Sequence, residues 1–151
     1  MNEDLKELFA LLKSHQVEFL VIGAHAVAFH GRPRFTEDVD VWVGRASENA
    51  NRLRSALDEF GLSIGQEGAE RFATLDQQMV RLGNPPNMID ILNFAGDQPF
   101  EEVWDRAIQG EFEGLDVRFP CKEDLVRMKQ VSNRPQDLAD IAGLADRQGP
   151  D

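Results

Sequence analysis

The chain has one cysteine, Cys121, in 151 residues, which excludes an internal disulfide and any multi-cysteine zinc site. Its three histidines, His15, His25 and His30, are scattered, so a histidine metal centre is not expected and any metal should rest on oxygen. Long hydrophobic runs are also missing. The stretch Phe19 to Ala24 falls far short of the ~20 apolar residues that a membrane span needs, and Met1 to Glu7 is acidic, unlike a signal or transit peptide. The expectation is a soluble, cytoplasmic protein without a membrane partner.

Positive charge is scarce. Sixteen Lys and Arg stand against 27 Asp and Glu, a formal charge of −11, so the overall field repels nucleic acid and any such contact must be local. Two places stand out as candidate anion sites. Leu115 to Arg134 has five bases (Arg118, Lys122, Arg127, Lys129, Arg134) against three acids, and Gly31 to Thr36 has Arg32 and Arg34 without an acid.

A chain of this length forms one domain that buries roughly 70% of its unfolded surface. With 42% hydrophobic residues, 28% charged and 10 Phe, its composition is globular. Leu5, Leu8, Phe9 and Leu12 recur at helical spacing behind Asn2 as N-cap, and Gln16 ends that helix. Glu18 to Gly23 reads as a buried strand running into a glycine turn, and His25 to His30 as a short helix. Ser47 is expected to cap a helix with stripe Leu53, Ala56, Leu57 and Phe60, closed by Gly61. Gln78 to Leu82 and Met88 to Asn93 flank a five-residue Gly83 to Asn87 loop, which predicts a hairpin. A helix from Pro99 through Ile108, a short hairpin about Gly114, and two helices, Lys122 to Val131 and Pro135 to Asp146, complete the reading. The core is expected over about residues 18–95, followed by a helical part over about 99–146.

Asp38 to Val43 (DVDVWV) alternates acid and apolar residues, the period of a half-buried strand with Asp38 and Asp40 on one face. Their Cα atoms lie about 6 to 7 Å apart at ~3.3 Å per residue, a gap that a cation bridges. Carboxylates forced together repel unless they share a proton or a cation, and all-oxygen ligation favours Mg²⁺ or Mn²⁺. An isolated D-x-D is more often only a solvent-exposed strand face. Asp90, alone among the apolar residues of MIDIL, changes the balance. A sheet neighbour would bring it beside Asp38 and Asp40, three carboxylates around one or two divalent ions, as in-line phosphoryl transfer requires.

The run GAHAVAFHGRPRFTEDVDVWV resembles the signature of the minimal nucleotidyltransferases of the DNA polymerase β superfamily. That signature is a Gly-[Gly/Ser] turn, a spacer, Asp-x-Asp, and a third acid on a later strand. Here Gly23 and Ala24 precede Asp38-Val39-Asp40 by thirteen residues. Gly23, Ala26, Val27, His30, Gly31, Arg34, Thr36, Asp38 and Asp40 are similar to small nucleotidyltransferases of toxin-antitoxin-like systems, as is the tail Asp124-Leu125, Lys129, Arg134-Pro135, Asp137-Leu138, Asp140-Ile141. The likeness spans about residues 20–145.

The resemblance implies an α/β (α+β) nucleotidyltransferase fold: a small mixed sheet, helices packed on one side, and a C-terminal helical pair closing a nucleotide cleft. It implies Mg²⁺ or Mn²⁺ on Asp38, Asp40 and Asp90, with Asp90 ligating the catalytic ion and taking the acceptor's proton. It also implies an NTP triphosphate cradled by the turn at Gly23 and Ala24, an acceptor hydroxyl on protein or RNA, and a toxin or antitoxin partner protein. Ala24 stands where the family carries Gly or Ser, which removes one hydroxyl hydrogen bond and keeps the backbone N–H. Arg34, Thr36 and Lys129 are the candidate phosphate contacts, against the alternatives of exposed loop, salt bridge or solvated helix face. The competing reading is an inactive binding module of the same fold, acting as antitoxin or adaptor. His25 and His30 read as packing or capping residues, Asp137 and Asp140 as structural partners of Arg134, and Cys121, Trp42 and Trp104 as core.

Overall fold

The computed structural model describes residues 3–31, 38–84 and 87–146. Along the chain run α1 (Glu3–Ser14), β1 (Phe19–Ile22), α2 (Gly23–Phe29), β2 (Val39–Val43), α3 (Ser47–Phe60), α4 (Gly65–Thr74), β3 (Met79–Asn84), β4 (Asn87–Leu92), α5 (Phe100–Asp105), β5 (Ile108–Phe112), β6 (Leu115–Phe119), α6 (Lys122–Ser132) and α7 (Pro135–Asp146). Asn2, Arg32, Arg34 and Thr36, all singled out above, lie outside the described residues.

Four strands form a mixed sheet in the order β1-β2-β4-β3, with β2 and β4 parallel and the outer pairs antiparallel; β5 and β6 make a separate hairpin. Strand alternation divides the sheet's side chains between two cores. Phe19, Val21, Val39, Val41, Ile89 and Ile91 pack with the stripe of α1 (Leu5, Leu8, Phe9, Leu12) and with Leu53, Ala56 and Leu57 of α3. Each such side chain contributes about 1.5–3 kcal/mol of burial. Leu20, Ile22 and Trp42 point the other way and meet Phe100 and Val103 of α5. Helices therefore cover both faces, not one as expected, because the strands are apolar on both sides except where Asp40 and Asp90 emerge.

Other departures are local. Ser47 is the first helical residue of α3 behind Ala46, and makes no side-chain cap bond. Pairing of Asn84 with Asn87 brings the hairpin's ends closer than a five-residue loop allows. α5 stops at Asp105, and Ile108 starts a strand opposite Phe119, because its apolar side chain is taken up by the second hairpin. α4 was not expected at all: Gly65 and Gly68 weaken its helical signal, and burial of Ala69 and Phe72 overrides propensity.

Asn49 of α3 fixes the start of β1 to the end of β2. Its Oδ1 accepts from Glu18 N at 2.7 Å, and its Nδ2 donates to Glu18 O at 3.0 Å and Gly44 O at 2.9 Å. It is 1% exposed, so Asn49→Ala takes the side-chain partner from Glu18 N and Gly44 O, while Glu18 O keeps the bond from Gly44 N at 3.2 Å. Urea melts should show a loss of about 2–4 kcal/mol, the cost of unsatisfied buried groups.

Candidate active site

Gly23 turns β1 into α2 with φ of +69°, the left-handed region that glycine enters without a steric cost. Space demands glycine as well, because a Cβ there would collide with Oδ2 of Asp40. The turn is thus moulded against a carboxylate.

Asp40 lies in β2 between two register partners, Ile22 on β1 and Asp90 on β4. Neighbouring strands are about 4.8 Å apart, so the two acids share one patch of sheet surface. Burial pushes the Asp40 carboxyl above the usual carboxylate range, and the Asp90 charge pushes it further; Lys129 and Arg134 pull the other way. Asp38, exposed just before β2, accepts a hydrogen bond from Met88 N at 3.2 Å. His25 of α2 bonds the Asp38 backbone, with its pKa lowered by burial in spite of that bond, and its ring lies edge-on to Phe112. His25 is therefore a fastener of the D-x-D segment.

Asp90 is engaged by Arg81 of β3. Nε donates to Oδ1 at 2.8 Å and Nη2 to Oδ2 at 3.0 Å, a bidentate pair. Among the described residues no three acidic, histidine or cysteine side chains are gathered as a ready cation cage.

α6 and α7 close the site. His30, fully buried, reaches Pro120 O with Nε2 at 2.7 Å; a carbonyl only accepts, so Nε2 carries the hydrogen. This bond ties α2 to the segment that opens α6. Lys129, 7% exposed, lies 3.4 Å from both Asp137 and Asp140 on α7, and Arg134 grips Asp137 through Nε at 2.9 Å. Asp137 also accepts from Arg134 N at 3.0 Å, the returning half of a capping box, with Pro135 as first helical residue. Burial opposes ionisation of Asp137, but the bonds from Arg134 and Ser132 and the charge of Lys129 outweigh it and hold the carboxyl far below the usual range.

Between the sheet and these helices lies a cleft of about 340 Å³. Gly23, Asp40, Lys129, Ser132, Arg134 and Asp137 form its polar side, and Leu92, Phe94, Ala95 and Met128 its apolar side. Phe94 is 38% exposed, a large aromatic facing open space. The structure thus brings together Gly23, Asp40 and Lys129, with Asp38 just before β2 and Asp90 on the adjoining strand β4. Ala24 is half-buried in α2 and is not part of the cleft wall. A second cavity of about 280 Å³, lined by Lys13, Phe19, Trp104, Asp116 and Arg118 among others, contains none of these site residues.

Arg81 and the cleft position of Arg134 were not legible as site features. The basic window is no free cationic surface: Arg127 pairs with Asp97, Lys129 and Arg134 with the α7 acids, and Arg118 lies over Trp104 at 4.2 Å.

Two outcomes follow from this geometry. Gly23→Ala forces a left-handed alanine against Asp40 and should cost more than about 1 kcal/mol in denaturant melts. Asp137→Asn leaves Lys129 buried with part of its compensation gone and should cost about 3–5 kcal/mol at pH 7. Because the folded Asp137 pKa is depressed, its contribution is complete above the unfolded value of about 3.9 and is lost as pH falls towards the folded one. Wild-type stability should therefore drop below about pH 5, and the asparagine variant should show a flatter profile over that range.

In overall fold the chain is similar to the lincosamide antibiotic adenylyltransferase LnuA in its lincomycin-bound crystal structure, with 12% identity, 97% of each chain covered and a TM-score of 0.57. It is also similar to ANT(2")-Ia in complex with adenylyl-2"-tobramycin, with 11% identity, 93% of this chain and 85% of the other covered, and a TM-score of 0.57. The solution structure of the antibiotic-resistance factor ANT(2'')-Ia gives 12% identity, 94% and 80% coverage, and a TM-score of 0.53. A search of curated proteins finds no significant match. Residues 2–145 match the profile of the nucleotidyltransferases of unknown function (DUF6036), and the chain belongs to that family.

Proposed function

We propose that this protein transfers a nucleoside monophosphate from an NTP to an acceptor hydroxyl, with Mg²⁺ or Mn²⁺ held by Asp38 and Asp40. The observation that carries this reading is the meeting of the Gly23 turn, Asp40 and its register partner Asp90 beneath Lys129 and Arg134. The donors suit a hard cation: they are carboxylates only, and Asp40 is raised in pKa by burial and by Asp90, conditions that a cation relieves.

When bound, the divalent ion neutralises phosphate oxygens and aligns the nucleotide. The chain's own residues do the rest. The backbone of the turn at Gly23 faces the triphosphate, and Arg134, Lys129, Arg34 and Thr36 supply donors to its oxygens. The acceptor oxygen forms a bond to the α-phosphorus, the bond from that phosphorus to the bridging oxygen breaks, and pyrophosphate leaves. The acceptor's proton passes to the Asp90 carboxylate, which retains free lone pairs beside the Arg81 bonds.

A protein acceptor fits better than RNA. The net charge of −11 opposes a polyanion, and the bases of the α6 region are largely committed to acids. A toxin or antitoxin partner is the setting that the sequence resemblance favours. The same negative charge supports a second reading, a small cationic acceptor bearing a hydroxyl, the kind of molecule seen as adenylyl-tobramycin on ANT(2")-Ia. An inactive module is disfavoured, since Asp40, raised in pKa by burial and by Asp90, costs stability that a bound cation restores.

Incubation with each α-labelled NTP and Mg²⁺, offered lysate protein, bulk tRNA and aminoglycosides in turn, should place label on protein; label on tRNA or drug alone would overturn the protein acceptor. At a hundredfold excess over Kd, Mg²⁺-NTP should stabilise the wild type by about 2.7 kcal/mol, roughly 5–10 °C. Asp40→Asn should lose that gain and all transfer, while its unliganded melt stays level or rises. An equal ligand-induced shift in both proteins would remove the metal from Asp40.

A further inference from the structure

At one level the site face of the sheet carries a row of register partners: Ile22 on β1, Asp40 on β2, Asp90 on β4 and Arg81 on β3. The two carboxylates of the row are treated differently. Among the described residues Asp40 makes no side-chain hydrogen bond, whereas both oxygens of Asp90 are taken by the Arg81 guanidinium at 2.8 and 3.0 Å. The Asp90 side chain is 13% exposed and that of Arg81 59%, so the guanidinium covers the carboxylate from the solvent side, on the edge strand β3. A fork-to-fork pair lies in the carboxylate plane and uses the lone pairs that a metal ion would approach in that plane. A second divalent ion that chelates Asp90 has to displace a charge-assisted bidentate bond, and one at the remaining lone pairs meets the arginine's positive charge a few ångströms away. One cation beside Asp40 displaces no such bond, and the positive charges that border it, Lys129 and Arg134, are themselves paired with acids of α7.

We propose that Arg81 is a positioning residue that stands in for a second metal ion. Asp38 and Asp40 hold the one divalent ion that accompanies the nucleotide, and Asp90, aimed and charge-balanced by Arg81, stays out of the metal shell and faces the acceptor. This inference rests on the nucleotidyl-transfer reading above, and it changes one part of the sequence expectation, in which Asp90 ligates the ion. A guanidinium is fixed in the fold, so it serves without being recruited from solution.

Equilibrium dialysis of the full chain against Mn²⁺, with the α,β-methylene analogues of the four common NTPs on both sides, counts the ions. The wild type should retain one Mn²⁺ per chain. Arg81→Met, which keeps the stem and removes the charge, should retain two; Arg81→Lys should retain one, and Arg81→Met combined with Asp90→Asn should return to one. Arg81 is exposed at the sheet edge, and thermal melts confirm that each variant is folded. Two ions in the wild type, or one in folded Arg81→Met, overturns the proposal while leaving nucleotide binding intact. No nucleotide-dependent Mn²⁺ on the wild type overturns the transfer reading together with it.

Discussion

Two acidic side chains that share one register position on adjacent parallel strands govern this structure. Asp40 and Asp90 repel in a setting that is partly buried, and the fold surrounds them with compensation. Arg81 balances Asp90 from the edge strand, while Lys129 and Arg134 act on Asp40 from above. Gly23 gives up its side chain so that Asp40 can lie against the turn. Each accommodation has a cost, since a buried ion pair seldom gains as much as it loses in desolvation. Their joint effect is a carboxylate face with positive charge at its border and an open cleft beside it, which suits a metal-bound polyanion.

The helices that roof the cleft follow the same logic. Lys129 is buried because two α7 acids receive it, and one of them, Asp137, stays ionised because Arg134 and the helix start donate to it. The network joins α6 to α7, and the His30 bond to Pro120 joins α6 to the helix that follows Gly23. Residues that look like free bases in the sequence thus serve the architecture first. The fold is similar to that of antibiotic nucleotidyltransferases such as LnuA and ANT(2")-Ia, and the cleft beside the carboxylates has an apolar side at Phe94 and Met128.

Much of this was legible. The period-2 alternation of DVDVWV placed Asp40 on a strand face, the glycine after the apolar run marked the turn, and the carboxylate within MIDIL lies, as expected, beside Asp40 in the sheet. Periodicity also found α1 and α3, where apolar stripes are intact. What escaped depends on register and tertiary packing. A five-residue hairpin loop would set Asp90 opposite Val80, on the wrong face for pairing; the observed register sets it opposite Arg81, so a slip of one residue hid the salt bridge. α4 escaped because two glycines and few apolar positions give no periodic signal until packing beside α3 buries Ala69 and Phe72. The burial of Lys129 escaped because a lysine on a polar helix reads as solvated unless its partners on the next helix are known.

The central claim is that Asp40, set against the Gly23 turn, and Asp38 hold the metal that brings the nucleotide. Its most direct test is an anomalous difference map from crystals grown with Mn²⁺ and an α,β-methylene NTP. The account predicts a peak about 2.0–2.2 Å from oxygens of Asp40 and Asp38, the triphosphate at the Gly23 turn beneath Lys129 and Arg134, and the Arg81 to Asp90 bonds still in place. Density for the nucleotide elsewhere, such as the cavity at Trp104 and Arg118, with no peak at Asp40, would contradict it.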